Sequence, residues 1–127
     1  MSTLNVTNAQ ITTLKDASGN NSTTPADLVK GRAKYWCVFQ GTGTAAVLDS
    51  FNNAGFSDTS TGKYSLTIDT DFDSINYVSL GTVSNSSRGN LSIEDVTAGS
   101  LTVSLRETDS GDFTDYTIVS VAAFGDQ

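Results

Sequence analysis

The chain contains no histidine, and only one cysteine, one proline, one methionine and one tryptophan among 127 residues. Without histidine a Ser-His-Asp relay cannot be built. One cysteine and no histidine leave no ligand set for zinc. A lone thiol cannot close an intrachain disulfide, so the fold has to rest on packing. Basic residues are scarce as well: seven Lys and Arg stand against fourteen Asp and Glu, for a net charge of −7. Nucleic acid and anionic lipid are both held by clustered cations, so neither is an expected partner. No apolar run approaches 18 residues, so no membrane span is expected. The opening Met-Ser-Thr-Leu-Asn-Val has no basic region followed by an apolar core, and no secretory signal is expected from it.

What is abundant is serine and threonine, over a quarter of the residues, with a hydrophobic fraction of only 37%. Thr is β-branched, and Ser and Asn compete for backbone hydrogen bonds. The mixture therefore suits strands and turns rather than long helices. Asn-x-Ser/Thr triplets at Asn5, Asn21, Asn85 and Asn90 arise by chance in such a composition. The length fits one compact domain plus a short appendage, a size at which association adds useful apolar burial.

Residues 1–30 read as an arm and 31–127 as a folded body. Leu4 and Val6 alternate with polar neighbours over residues 4–14, which predicts an extended strand. Asp16 to Pro25 gathers loop formers. Thr24 followed by Pro25 and, six residues on, Gly31 predicts an N-cap, a first-position proline and a glycine stop for one short helix. From Arg32 the period becomes two. Ala33, Tyr35, Cys37 and Phe39 share one face, and Arg32, Lys34, Trp36 and Val38 the other. Large apolar groups on both faces mark a strand central in a sandwich or buried at a subunit interface. Further strands are expected at 45–52, 63–68, 75–83, around Leu91 and Ile93, at 101–106 with Thr102, Ser104 and Arg106 outward, and over 115–124. A turn-rich zone is expected at 55–62 and polar loops at 84–90 and 109–112. About seven short strands at this spacing predict an all-β antiparallel sandwich, jelly-roll-like.

Few groupings suggest chemistry. Asp69, Asp71 and Asp73 alternate like the start of a calcium loop, but Ser74 and Leu80 stand where that loop needs Gly and Glu. An acidic turn is the reading, with a loose calcium site on the same carboxylates as the alternative. Asp109, Asp112 and Asp115 around Gly111 read as a second solvated turn. Glu94 and Glu107 are the only glutamates, and nothing selects an acid/base pair for glycoside hydrolysis. Cys37 lies in an apolar strand and reads as packing. Gly41-Thr-Gly-Thr44 lacks the following Lys and helix of a phosphate loop and reads as a hairpin turn. Tyr35 and Trp36 could line a sugar surface or pack in a core or interface. Asn85, Arg88 and Asn90 are the candidates for an exposed recognition loop. Neither a cofactor nor a catalytic set is expected.

Gly31-Arg-Ala-Lys-Tyr-Trp-Cys-Val-Phe-Gln-Gly-Thr-Gly43 resembles a domain recurrent in tail-fibre and virion-appendage proteins of tailed bacteriophages, especially marine and cyanobacterial ones. The likeness lies in Gly31, Arg32, Ala33, Lys34, Trp36, Phe39, Gly41, Thr42 and Gly43. It continues through Phe51-Asn52, then Asp58, Thr61, Gly62, Tyr64 and Thr67, and then Asp73-Ser-Ile-Asn-Tyr77, covering about residues 10–85. Tyr35, Cys37, Val38 and Gln40 depart from it. The resemblance implies a structural virion protein rather than an enzyme. It would be a homotrimer joined to capsid or tail proteins, assembled in the cytoplasm of the host bacterium. Interface candidates are Leu4, Val6 and Ile11 in the arm and Trp36 and Val38 in the body, and trimerisation would bury Val119 and Val121 as well. The alternative is a receptor-binding module for host surface polysaccharide. A polysaccharide-degrading enzyme is the weakest of the three for want of a catalytic set.

Overall fold

A computed structural model describes residues 10–84 and 88–127; Leu4, Val6 and Asn85 lie outside the described residues. The chain divides into two units at Arg32/Ala33, two residues beyond the boundary read from composition.

In the first unit a two-residue ladder joins β1 (Leu14–Lys15) to β2 (Ser22–Thr23). The turn between them is organised by one carboxylate. Asp16 Oδ1 accepts from Ser18 Oγ at 2.9 Å and from the Asn20 N–H at 3.0 Å, and Oδ2 accepts from Asn21 Nδ2 at 2.7 Å. These bonds, with Ser18 and Asn21 foremost, hold the Asp16 carboxyl below its usual range. Helix α1 (Pro25–Gly31) follows, starting as its sequence predicts. Thr24 Oγ1 accepts from the Asp27 N–H at 3.1 Å, and the Asp27 carboxylate accepts from the Thr24 N–H. The helix buries none of its residues; Leu28 and Val29 are exposed.

The second unit is an antiparallel sandwich of eight strands: β3 (Tyr35–Gln40), β4 (Ala46–Phe51), β5 (Asn53–Ser60), β6 (Lys63–Ile68), β7 (Val78–Val83), β8 (Gly89–Glu94), β9 (Ser100–Glu107) and β10 (Val119–Phe124). One sheet runs β4-β3-β10-β7 and the other β5-β6-β9-β8. The expected all-β sandwich is therefore present, with one strand more than the spacing predicts. The extra strand is β5, in the stretch that reads as a turn zone. Its Asn, Gly, Ser and Asp residues have low strand propensity, but β5 is an edge strand. Its ladder to β6, from Asn53↔Ile68 to Ser60↔Lys63 with two irregularities, carries it. Three expected strands have shifted starts: β7 begins at Val78, β8 already at Gly89, and β10 only at Val119.

The core lies between the sheets. Tyr35, Cys37 and Phe39 of β3 and Val119, Val121 and Ala123 of β10 face Tyr64, Leu66 and Ile68 of β6 and Leu101, Val103 and Leu105 of β9. Phe39, Phe56 and Tyr64 form an aromatic cluster with centroids 4.8–5.7 Å apart. Tyr64 is fully buried, yet its hydroxyl is satisfied: it donates to Asp115 Oδ1 at 2.7 Å, an oxygen that also accepts the Gly62 N–H at 2.7 Å. Burial, and then the Asp115 carboxylate, push the Tyr64 hydroxyl far above its usual range.

Asn52 turns the chain from one sheet into the other. Its backbone is left-handed, at φ 59°, where Asn is tolerated better than most residues. Its Nδ2 donates to the carbonyls of Lys34 and Thr70 at 3.0 Å each, and its Oδ1 accepts the Thr70 N–H at 2.7 Å. Replacing it should remove both the conformational fit and these bonds. Asn52→Ala should lower unfolding stability by about 2 kcal/mol. Asn52→Gly, which keeps the backbone fit, should lose less, as measured by chemical denaturation followed by tryptophan fluorescence.

Candidate functional site

The two outer faces of the sandwich differ in chemistry. On the β5-β6-β9-β8 sheet, cross-strand rows read Ser57–Ser65–Thr102–Glu94 and Ser60–Lys63–Ser104–Ser92. Lys63 reaches Glu94 at 3.6 Å, and the Phe113 ring takes Lys63 and Arg106 against its π-face. Ser104 lies on this outer side as the alternation predicts, but it is buried, and its hydroxyl has no partner in the protein. This is an ordinary hydrated face.

The β4-β3-β10-β7 sheet presents the opposite. Its outward rows are Phe51–Trp36–Ala122–Leu80 and Asp49–Val38–Ser120–Thr82, followed by Phe124–Val78 at one end. Phe51 is 48%, Leu80 54% and Val78 64% exposed. The local reasons are legible strand by strand. A bulge between Val38 and Phe39 on the β3–β4 ladder leaves Leu48 unpaired. Val47 therefore packs towards the core, while Asp49 and Phe51, of the same parity, point outward. Strand β7 is inverted relative to a usual edge strand, with Val78 and Leu80 outward and Ser79 and Gly81 inward. A Cβ on Gly81 would lie 2.8 Å from the Leu91 side chain, so the core has no room for anything larger there. Strand β10 carries only Ser120 and Ala122 outward before Phe124. Between the walls made by Trp36 and Val38 on one side and Leu80 and Thr82 on the other lies a trough of about 240 Å³ floored by Ser120 and Ala122.

Trp36 and Val38, both expected at an interface, thus sit together on this face. Ile11 is exposed in the other unit. Val119 and Val121, which the sequence reading also offers to a sister subunit, are instead core residues, 0% and 2% exposed. Tyr35 is no sugar platform: it is fully buried, with its hydroxyl donating to Asn53 Oδ1 at 3.0 Å. Lys34, the residue before β3, is buried. Phe51, Val78, Leu80 and Ala122 are the face residues that the sequence reading leaves out. The signal for them is the Val-Ser-Leu-Gly order of β7, whose large residues stand opposite a glycine.

The other expected sites are dispersed. Asp69, Asp71 and Asp73 flank Phe72, which is buried and stacked on Tyr77 at 4.1 Å. The Asp71 carboxylate lies over Gly99, and the Asp69 and Asp73 amides donate to the Asn52 and Asp126 carbonyls. Among the described residues no three Asp, Glu, Cys or His groups converge as metal ligands. Arg88 and Asn90 are exposed. The Arg88 guanidinium pairs with Asp109, and its carbonyl accepts from the Thr108 N–H and hydroxyl, which ties it to the β9 end. The Gly41–Thr44 stretch is the expected hairpin link, with Gly43 at φ 71°.

No family model, no curated protein and no solved structure matches this chain.

Burial pushes the Cys37 thiol up to about 11, so it stays protonated in the folded protein. Tyr35, Tyr64 and Tyr77 are likewise raised, chiefly by burial. A raised folded value means that unfolding releases protons at lower pH than the native state does. The stability these groups support is complete below about pH 9, the ordinary thiol range, and falls as pH rises past it. Cys37 should resist alkylation at pH 8 in buffer and react at once in denaturant. Tyr35, Tyr64 and Tyr77 should ionise together with alkaline unfolding, followed by tyrosine absorbance. Smooth ionisation of these three ahead of unfolding would contradict the burial described.

Proposed function

We propose that this chain is a structural subunit that assembles through protein–protein contacts made by the outer face of the β4-β3-β10-β7 sheet. The observation that carries the reading is the apolar character of that face. A solvated sheet face alternates polar residues outward, as the other sheet does. Exposed, contiguous apolar area of this extent marks an interaction site. The resemblance around Gly31–Gly43 supports a virion component of a tailed bacteriophage, not an enzyme, with copies of itself and capsid or tail proteins as partners. It also supports a homotrimer as the assembled form. Recognition of host polysaccharide is less well supported, because beside the Trp36 indole the trough's side chains offer a sugar only the hydroxyls of Thr82 and Ser120.

The unit from Ala33 onward carries four Lys and Arg against twelve Asp and Glu, whereas the face holds Asp49 alone among its paired rows. Apolar contact between acidic bodies works against mutual repulsion. Self-association should therefore strengthen as salt rises from about 0.05 to about 0.5 M, where screening shortens the range of repulsion. Sedimentation velocity on the full chain at about 100 µM should show an oligomer, and Leu80→Glu should yield a monomer with an unchanged melting temperature. A wild-type chain that stays monomeric at this concentration and does not bind virion proteins would remove the proposal.

A further inference from the structure

The same face has a self-complementary pattern. We infer that its occupant is a second copy of this chain, docked face to face about a two-fold axis that runs along the strands between β3 and β10; this rests on the reading above that the face makes the assembly contacts, and it puts a two-fold pair in place of the homotrimer that the resemblance implies. The register supplies the argument. Across each row the residues are cross-strand partners, so they lie at one height along the strands. An axis along the strands keeps the heights and exchanges β3 with β10 and β4 with β7. Trp36 of one copy then lies over Ala122 of the other, and Val38 over Ser120. The large outward residues of β3 meet the small ones of β10, twice, by symmetry. At the margin Phe51 meets Leu80, and Asp49 meets Thr82, whose hydroxyl can donate to the carboxylate. The trough floored by Ala122 and Ser120 is the receiving shape for the partner's Trp36 ridge.

Charge agrees with this occupant, and size sets its strength. Four strands about 4.8 Å apart and six residues about 3.4 Å each give a footprint of roughly 20 by 20 Å. That is about half of the ~800 Å² per partner of a standard interface, so the pairing belongs with small, weak interfaces and is sought at about 100 µM chain. Aligned sheets pack about 10 Å apart with about 30° between strand directions, so the two inner rows stay in register near the axis. The arrangement also leaves the acidic residues of both bodies in solvent and places Asp49, the one charge of the paired rows, at the rim.

The register makes a reciprocal substitution the test. Trp36→Ala leaves a hole over the partner's Ala122, and Ala122→Trp sets two indoles against each other. Each variant alone should associate about tenfold or more weaker than wild type. Mixed in equal amounts they should pair, because each of the two contacts then sets one large residue against one small one. Native mass spectrometry of the mixture should show the heterodimer in excess over both homodimers. Circular dichroism of each variant checks that the sandwich is intact, and Ala122→Leu serves as a milder filling should Ala122→Trp unfold. Two variants that dissociate but do not complement one another would overturn the two-fold docking. So would a wild-type trimer, which an isologous pair through one face cannot build and which would leave the assembly reading in place. A monomeric wild type would overturn the docking, and one that also fails to bind virion proteins would remove the assembly reading.

Discussion

The ladder between β3 and β10 is what the rest of the structure depends on. Its register sets Phe39 beside Val119, Cys37 beside Val121 and Tyr35 beside Ala123 on the inside. The same register sets Val38 beside Ser120 and Trp36 beside Ala122 on the outside. Strand β3 is bulky on both faces, and β10 is slim on its outer one. A slip of one residue would drive Trp36 into the core and lift Tyr35 and its bonded hydroxyl into solvent. The inner face therefore fixes the outer one. The core cannot be packed correctly without also producing the ridge of Trp36 and the trough beside it.

The interior leaves little freedom elsewhere. Buried hydroxyls are engaged at Tyr35 and Tyr64, and Asp115 joins the β6 turn to the segment before β10 through one carboxylate oxygen. With no disulfide and no metal cluster among the described residues, cohesion comes from aromatic and aliphatic packing. The apolar material not used for that purpose is concentrated on one outer face while the other is a Ser/Thr surface. That segregation, more than the total hydrophobicity, separates this body from an ordinary small sandwich.

Much of the fold was readable in the residues. The strict alternation of Tyr35–Gln40, Lys63–Ile68 and Leu101–Arg106 announced strands, and the Thr24-Pro25 pair announced the helix start. Strand β5 was not readable, because an edge ladder to β6 overrides the poor propensity of Asn, Gly, Ser and Asp. Half of the candidate face was readable, since a strand apolar on both sides has to have a second covering. The other half was hidden in β7, where the usual rule that large residues point inward fails. The reason is spatial: Leu91 occupies the volume that a side chain at Gly81 would need. The parity of β10 is not legible, because adjacent apolar residues at 118 and 119 do not reveal which face meets the core.

The bulge at Leu48 has a consequence for how such a protein can grow. Strands β4 and β5 form one margin of the two sheets, and both ladders there are broken, at Val38/Phe39 and at Asn53/Gly55 and Asp58/Ser60. An interrupted margin is a poor template for another strand, so open-ended stacking of chains edge upon edge is disfavoured. The irregularity thus works against polymerisation without limit along that margin.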